Sequence, residues 1–225
     1  MNVLITGVSR GIGKAMVIEC LERGFNCIGL TRNKKQVSEY ILNHPNSKVV
    51  EIDWSKYDSY KDLVSSDIFR VDVLINNAAT ILVKPAQDTN AQDLKSILDV
   101  NVIAPFQLTR ALYAKGCLAE GAHIVNISSM GGFQGAAKFP GLSAYSISKA
   151  GLVAMTESLA IEYPELSINC LCLGAVQTEM LKRAFPTYKA EINDVQMAKY
   201  IIDFSLTSAN LMTGCIIPVN KSNPV

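Results

Sequence analysis

Apolar residues fall along this chain in short unbroken runs that alternate with segments of helical spacing. The first run, 3–6, shows no polar–apolar alternation, the pattern of a strand covered on both faces. Segment 12–23 follows with Ile12, Ala15, Met16, Ile18 and Cys20 at helical spacing, and Gly24 supplies a stop. The same rhythm predicts strands over 26–30, 48–52, 71–75, 122–127, 167–172 and 215–219. It predicts helices over 34–42, 57–69, 144–162 and 195–206, and one or two helices over 91–115 broken near Pro105.

Strand and helix in strict alternation imply a single α/β domain over 1–225, a Rossmann-like doubly wound parallel sheet of about seven strands that binds ligands at its carboxyl edge. The 225 residues suffice for one such domain and are short for two. Charge narrows the partners. Twenty-one basic and twenty acidic residues leave a net +1, so no large field exists to hold a nucleic acid or an anionic membrane. No apolar run reaches the roughly 20 residues of a spanning helix, and a strand starts almost at Met1, leaving no room for a signal peptide; a soluble, cytoplasmic protein is expected. The six cysteines are scattered and read as reduced buried thiols. Cys170 and Cys172 share a strand face, but with only His44 and His123 to join them no metal site is expected.

Candidate chemistry begins at the first strand–helix junction, Thr6-Gly7-Val8-Ser9-Arg10-Gly11-Ile12-Gly13. Glycines there permit a tight turn and close approach of a pyrophosphate, and the helix amino end offers N–H donors with partial positive charge. The spacing, three residues then one, differs from the commoner one-then-two pattern. After the second strand stands Thr31-Arg32, where folds that prefer NAD place an acid for the ribose hydroxyls. Arg10 or Arg32 alone reads as a solvated surface residue; together they can grip a 2′-phosphate.

Tyr145 and Lys149, four apart at the start of a predicted helix, share a face. An ammonium close to a phenol lowers the tyrosine pKa and suits it to proton transfer. The two residues also fit an amphipathic helix with a half-buried tyrosine and an exposed lysine. Other positions change that balance. Ser129 follows the fifth strand, within reach of the same substrate oxygen; Asn101 sits mid-helix, where asparagine is unfavourable unless its side chain is used; and Asn76-Asn77-Ala78-Ala79 closes the fourth strand.

This set, in order and approximate spacing, resembles the short-chain dehydrogenase/reductase family over essentially the whole chain. The resemblance implies an NADP(H)-dependent oxidoreductase moving a hydride between the nicotinamide and a carbonyl or alcohol carbon. It implies that Tyr145 is the acid/base, that Lys149 lowers its pKa and holds the nicotinamide ribose, that Ser129 orients the carbonyl, and that Asn101 holds a relay water. Cofactor positions follow: Gly7, Ser9, Arg10, Gly11, Ile12 and Gly13 at the turn; Arg10 and Arg32 at the basic positions of NADP(H)-preferring members; Asp53 at the adenine amino group; Asn77 and Ala78 under the adenine ribose; Val176 and Thr178 at the carboxamide and phosphates; and Trp54 and Ala79 as further cofactor contacts. Ala79 replaces a common glycine, Leu173 a common proline, the segment from Ser129 to Tyr145 is a few residues long, and the carboxyl end is short. A dimer or tetramer is expected, with Leu152, Met155 and Leu159 as surplus apolar residues on the long helix. The alternatives are an NADP(H)-binding regulator that does no chemistry, and an epimerase or dehydratase of related fold. The intact residue set argues against the first and the chain length against the second.

Overall fold

A computed structural model describes residues 1–54 and 70–221. Its centre is a seven-stranded sheet with every neighbouring pair parallel. The strands are β1 (Asn2–Thr6), β2 (Asn26–Thr31), β3 (Ser47–Glu51), β4 (Val71–Asn76), β5 (Leu118–Ser129), β6 (Ser167–Leu173) and, at the far edge, β9 (Ile216–Val219). Their spatial order, β3-β2-β1-β4-β5-β6-β9, reverses direction between β1 and β4, which opens a crevice there at the carboxyl edge. The helix expected over 57–69 lies outside the described residues.

Apolar cores fill both faces. On one, Val3, Ile5 and Val73 pack with Met16, Val17 and Cys20 of α1 (Gly11–Glu22) and Ile201 and Ile202 of the last helix, Asp194–Thr207. On the other, Leu4, Leu74 and Ile124 pack with Leu108 and Leu112 of Ala104–Ala114 and with Leu152, Met155 and Leu159 of Ser143–Glu162. Those last three are therefore not surplus. Leu152 and Leu159 are each 2% exposed, and moving such a side chain to the surface would cost about 1.5–3 kcal/mol.

Local departures from the predicted elements have identifiable causes. Segment 34–42 is not one helix. Lys34–Gln36 forms a 3₁₀ turn capped by the Asn33 side chain, Val37 and Ser38 are extended, and α2 (Glu39–Asn43) starts afresh. Segment 91–115 is α3 (Ala91–Leu98), a π turn over Asp99–Ile103, and α4 (Ala104–Ala114). Pro105 sits in the first turn of α4, and its missing N–H leaves unmade the helical bond that would end on the Asn101 carbonyl. Strand β5 begins earlier than expected, because Gly121 at φ 67° absorbs an irregularity between Leu118 and His123 in its pairing with β4. Two short parallel strands, β7 (Val176–Gln177) and β8 (Ile192–Asn193), were not anticipated. Between them runs α6 (Glu179–Ala184), with α5 (Ser143–Glu162) before and α7 (Asp194–Thr207) after. All six cysteines are free; among the described residues no helix is long and apolar enough to cross a membrane, and no group of ligands gathers for a metal.

His123 carries a pH-dependent part of the stability. It lies buried on β5 with Nδ1 2.9 Å from the Ser205 carbonyl and Nε2 3.0 Å from Asn169 Nδ2. Donation from Nδ1 and acceptance at Nε2 describe a neutral ring, and burial lowers its pKa although the Ser205 carbonyl pulls the other way. Below about pH 6.5, the ordinary histidine value, the unfolded chain takes up a proton that the folded chain resists. The denaturant midpoint is therefore expected to fall between pH 7.5 and 5.5, above the window in which the lowered carboxyls of Asp93 and Glu165 titrate. A midpoint flat across that interval would contradict the assignment.

Candidate active site

Where β1 turns into α1, the backbone is locked to the end of β4. Thr6 Oγ1 accepts from the N–H groups of Asn77 (2.9 Å) and Ala78 (2.8 Å), and Asn77 Nδ2 donates to the Thr6 carbonyl at 2.9 Å. The crowding explains the glycines. Gly7 adopts φ +76°, and a Cβ on it would stand 2.8 Å from Ala78 Cα; one on Gly13 would stand 2.1 Å from the Gly7 carbonyl oxygen. No side chain caps α1 and its first turn holds no acid, so the N–H groups and positive end of the helix are left to the crevice. A phosphate-sized anion fits this cradle.

The crevice continues as one cleft of about 320 Å³, at the low end of the range for small-molecule sites. Gly7, Ser9, Arg10, Gly11, Ile12 and Gly13 line one part, with Asn77, Ala78 and Ala79 opposite. Arg32 and Trp54 line a second part, joined by Thr31, Asn33 and Gln36. Asp53, by contrast, is exposed and does not line the cleft. Arg10 is already paired: its Nη1 lies 2.7 Å from Glu179 Oε2 on α6, the two side chains 53% and 64% exposed. An ion pair so exposed contributes about 0–1 kcal/mol, so a phosphate can displace it.

Ser129 ends β5 and Tyr145 opens α5, and both side chains line the cleft. Lys149 lies one turn further along α5, 3% exposed. The exposed lysine of an ordinary amphipathic helix is thus not what the fold builds. The expectation that Lys149 lowers the Tyr145 pKa is corrected, however. Burial raises the phenol above its usual value, and the nearby Ser129 offsets this only in part. Lys149 Nζ instead donates to the Ile127 carbonyl at 2.8 Å and stands 5.9 Å from the centre of the Tyr145 ring. Burial brings its own pKa down to about 8, against the attraction of the Cys170 and Cys172 thiols.

Asn101 does not line the cleft. It is buried behind it in the π turn, where Oδ1 accepts from the Thr80 N–H (2.8 Å) and Nδ2 donates to the Thr80 carbonyl and to Ser148 Oγ, both at 2.9 Å. The side chain thus braces the segment after β4 against α5, one residue from Lys149. π turns recur at functional sites, and the awkward mid-helix asparagine was the signal for this one.

Beyond Ser129 and Tyr145 the wall comes from the loop 130–142 and from α6 with its end, Phe185. Phe139 meets Phe185 edge-on, centroids 5.0 Å apart at 79°. Val176 and Thr178 line the floor of α6, and Thr178 Oγ1 caps that helix by accepting from Leu181 N–H. Phe133 does not line the cleft, and Lys138 is folded onto its own loop, donating to the carbonyls of Phe133 and Ala136. Gly174 is hemmed in by Asn220: a Cβ there would stand 2.2 Å from Asn220 Oδ1. Gln36 and Thr80 went unnamed in the sequence; Thr80 adjoins a motif, whereas Gln36 carries no signal of its own.

A dinucleotide cradle beside a serine–tyrosine–lysine cluster at the switch point of a doubly wound sheet defines a class of nicotinamide-dependent oxidoreductases. The chain belongs to the short chain dehydrogenase family, which it matches over residues 1–189. It is 31% identical over 188 residues to an uncharacterized oxidoreductase of Thermotoga maritima, covering 80% of this chain and 73% of that one. It is 28% identical over 225 residues to the benzil reductase ((S)-benzoin forming) of Bacillus subtilis, covering 95% and 90%. Among solved structures, a 4-hydroxyisoleucine dehydrogenase mutant complexed with NADH and succinate superposes with a TM-score of 0.87 at 25% identity, covering 97% of this chain and 96% of that one.

Proposed function

We propose that this protein is a cytoplasmic NADP(H)-dependent reductase of ketones or aldehydes, with Tyr145 as proton donor in the reductive direction. The observation that carries the reading is the Ser129–Tyr145 hydroxyl pair lying in the same cleft as the uncapped turn before α1. The dinucleotide, held by that turn, Asn77 and Arg32, would supply the hydride to the carbonyl carbon. Tyr145 Oη, a phenol protonated at neutral pH, gives its proton to the carbonyl oxygen. Ser129 Oγ shares the charge that develops on that oxygen. Lys149, released from the Ile127 carbonyl, has donors enough for a ribose hydroxyl and lies on the face of α5 that carries Tyr145. The test is NADPH oxidation across a panel of ketones and aldehydes. Cofactor binding with no turnover anywhere in a broad panel would put the regulator reading ahead.

The preference for NADP(H) rests on Arg32, an exposed guanidinium lining the cleft where no acid follows β2. One charge-assisted phosphate contact is worth about 1.5–3 kcal/mol. Arg32→Ala is therefore expected to weaken NADPH by roughly ten- to a hundredfold while hardly changing NADH. The single tryptophan, Trp54, lines the same part of the cleft, so its fluorescence is a direct titration signal. Equal affinity of the parent protein for NADPH and NADH would refute the preference.

We also propose a dimer or tetramer, with the contact moved from the buried residues of α5 to its outer stripe. Ile147 and Ile161 are 52% and 82% exposed, with Ala154 between them also exposed, an arrangement that favours covering by a second copy. Light scattering at micromolar concentration is expected to give a multiple of the 24.4 kDa chain, and Ile161→Glu to reduce it.

A further inference from the structure

We infer that the substrate is an uncharged carbonyl compound with an aryl or similarly bulky apolar group on the carbonyl carbon, and that this group seats against Phe139 and Phe185. The inference rests on the reductase reading above and concerns the far end of the same cleft. Once the carbonyl oxygen is placed at Tyr145 and Ser129, the rest of the substrate faces Met130, Phe139, Leu142, Met180, Leu181 and Phe185. Two of these are aromatic and already in edge-to-face contact across the gap between the loop and α6. A third ring extends such an arrangement favourably.

Most cations that line the cleft are engaged elsewhere. Lys149 bonds the Ile127 carbonyl, and Arg32 lines the part after β2 with Trp54 and Asn33; Glu179, once a phosphate takes Arg10 from it, is an anion that disfavours an anionic substrate. Lys138, on the loop itself, is turned back to two carbonyls of its own segment. Among the described residues that line the cleft, Arg183, exposed on α6, is the cation that an anionic substrate could still recruit. Thr80 N–H and carbonyl are both taken by Asn101, so a polyhydroxylated chain would have the Thr80 and Ser146 hydroxyls, beyond Ser129 and Tyr145, to meet it at this end. A buried hydroxyl without a partner costs about 1–3 kcal/mol, whereas an apolar ring gains from the same wall.

The experiment compares kcat/KM with saturating NADPH for 1-phenylpropane-1,2-dione, butane-2,3-dione, phenylglyoxylate and a five-carbon polyhydroxy ketone. The phenyl dione is expected to exceed the methyl dione by about ten- to a hundredfold, and to exceed phenylglyoxylate and the polyol. Phe139→Ala and Phe185→Ala should each shrink the phenyl-to-methyl ratio several-fold; a purely structural role would lower both diones alike and leave the ratio unchanged. Calorimetric binding of acetophenone to the protein with NADP⁺ supplies a readout without turnover, and should weaken in both variants. A preference for phenylglyoxylate abolished by Arg183→Ala, a preference for the polyol, or a ratio unmoved by both phenylalanine variants would overturn the inference while leaving the reductase reading intact. NADPH binding with none of the four reduced, and none in the broader panel, would overturn that reading and this inference with it.

Discussion

Tyr145→Phe is expected to lower kcat by about 10²- to 10⁴-fold while leaving NADPH affinity within about twofold of the parent value. Phenylalanine keeps the ring, so the contacts of the half-buried side chain at the head of α5 survive. What is lost is the hydroxyl, the group beside Ser129 in the cleft from which a carbonyl oxygen could take its proton. The cradle before α1 does not depend on it, because that turn is held by Thr6 and Asn77. Lys149→Ala should differ in kind. Lys149 lies where it can serve both the cofactor ribose and the tyrosine, so affinity and rate should fall together. Its removal would also leave the Ile127 carbonyl without its buried donor. Titration of Trp54 fluorescence beside steady-state kinetics separates the two variants. Tyr145→Phe turning over at near the parent rate would exclude the proposed proton donor.

How far the sequence anticipates this site depends on the kind of constraint each residue answers. The strand–turn–helix opening is legible because unbroken apolar runs, glycines and helical spacing are local properties, and the structure has Gly7, Ser9, Gly11, Ile12 and Gly13 lining the cleft at that junction. The π turn is half legible. An asparagine in mid-helix and a proline four residues later signal a break, but not that the asparagine side chain would span to Thr80 and Ser148, segments distant in the chain. The direction of the Tyr145 shift is not legible at all. Spacing puts Lys149 on the right face, but burial and a competing carbonyl at Ile127 decide where the ammonium points. The same holds for Arg10, whose partner Glu179 is 169 residues away. Leu152, Met155 and Leu159 misled because a helix lying along the sheet buries a broad face, and counting apolar residues does not say how wide that face is.

Gly13→Ala is expected to abolish useful cofactor binding, weakening NADPH by at least about a hundredfold. In a helix interior, alanine is normally preferred to glycine by about 1 kcal/mol, and Gly13 lies in the first turn of α1 with no positive φ to forbid a side chain. Propensity alone therefore predicts a gain. Space decides otherwise. The added Cβ would stand 2.1 Å from the Gly7 carbonyl oxygen, 2.9 Å from the Gly7 carbonyl carbon and 2.6 Å from Asn77 Nδ2. Two of these are backbone atoms of the cradle itself, and the third belongs to the amide that ties β4 to the turn. None can yield without moving the N–H groups that would meet a phosphate, so α1 must slide away from Gly7 or the turn must open. Overpacking of this kind costs about 1–3 kcal/mol of stability, enough to lower the melting temperature but not to unfold a domain of this size. Gly116→Ala is the comparison: φ +65° makes alanine strained there, yet nothing lies within 4 Å of its Cβ, and the position is remote from the cleft lining. It should cost about 1 kcal/mol of stability with NADPH affinity unchanged. Melting curves and Trp54 titrations on both variants distinguish general destabilisation from a deformed cradle. If Gly13→Ala bound NADPH as the parent does, the turn before α1 would not be where the cofactor phosphates sit.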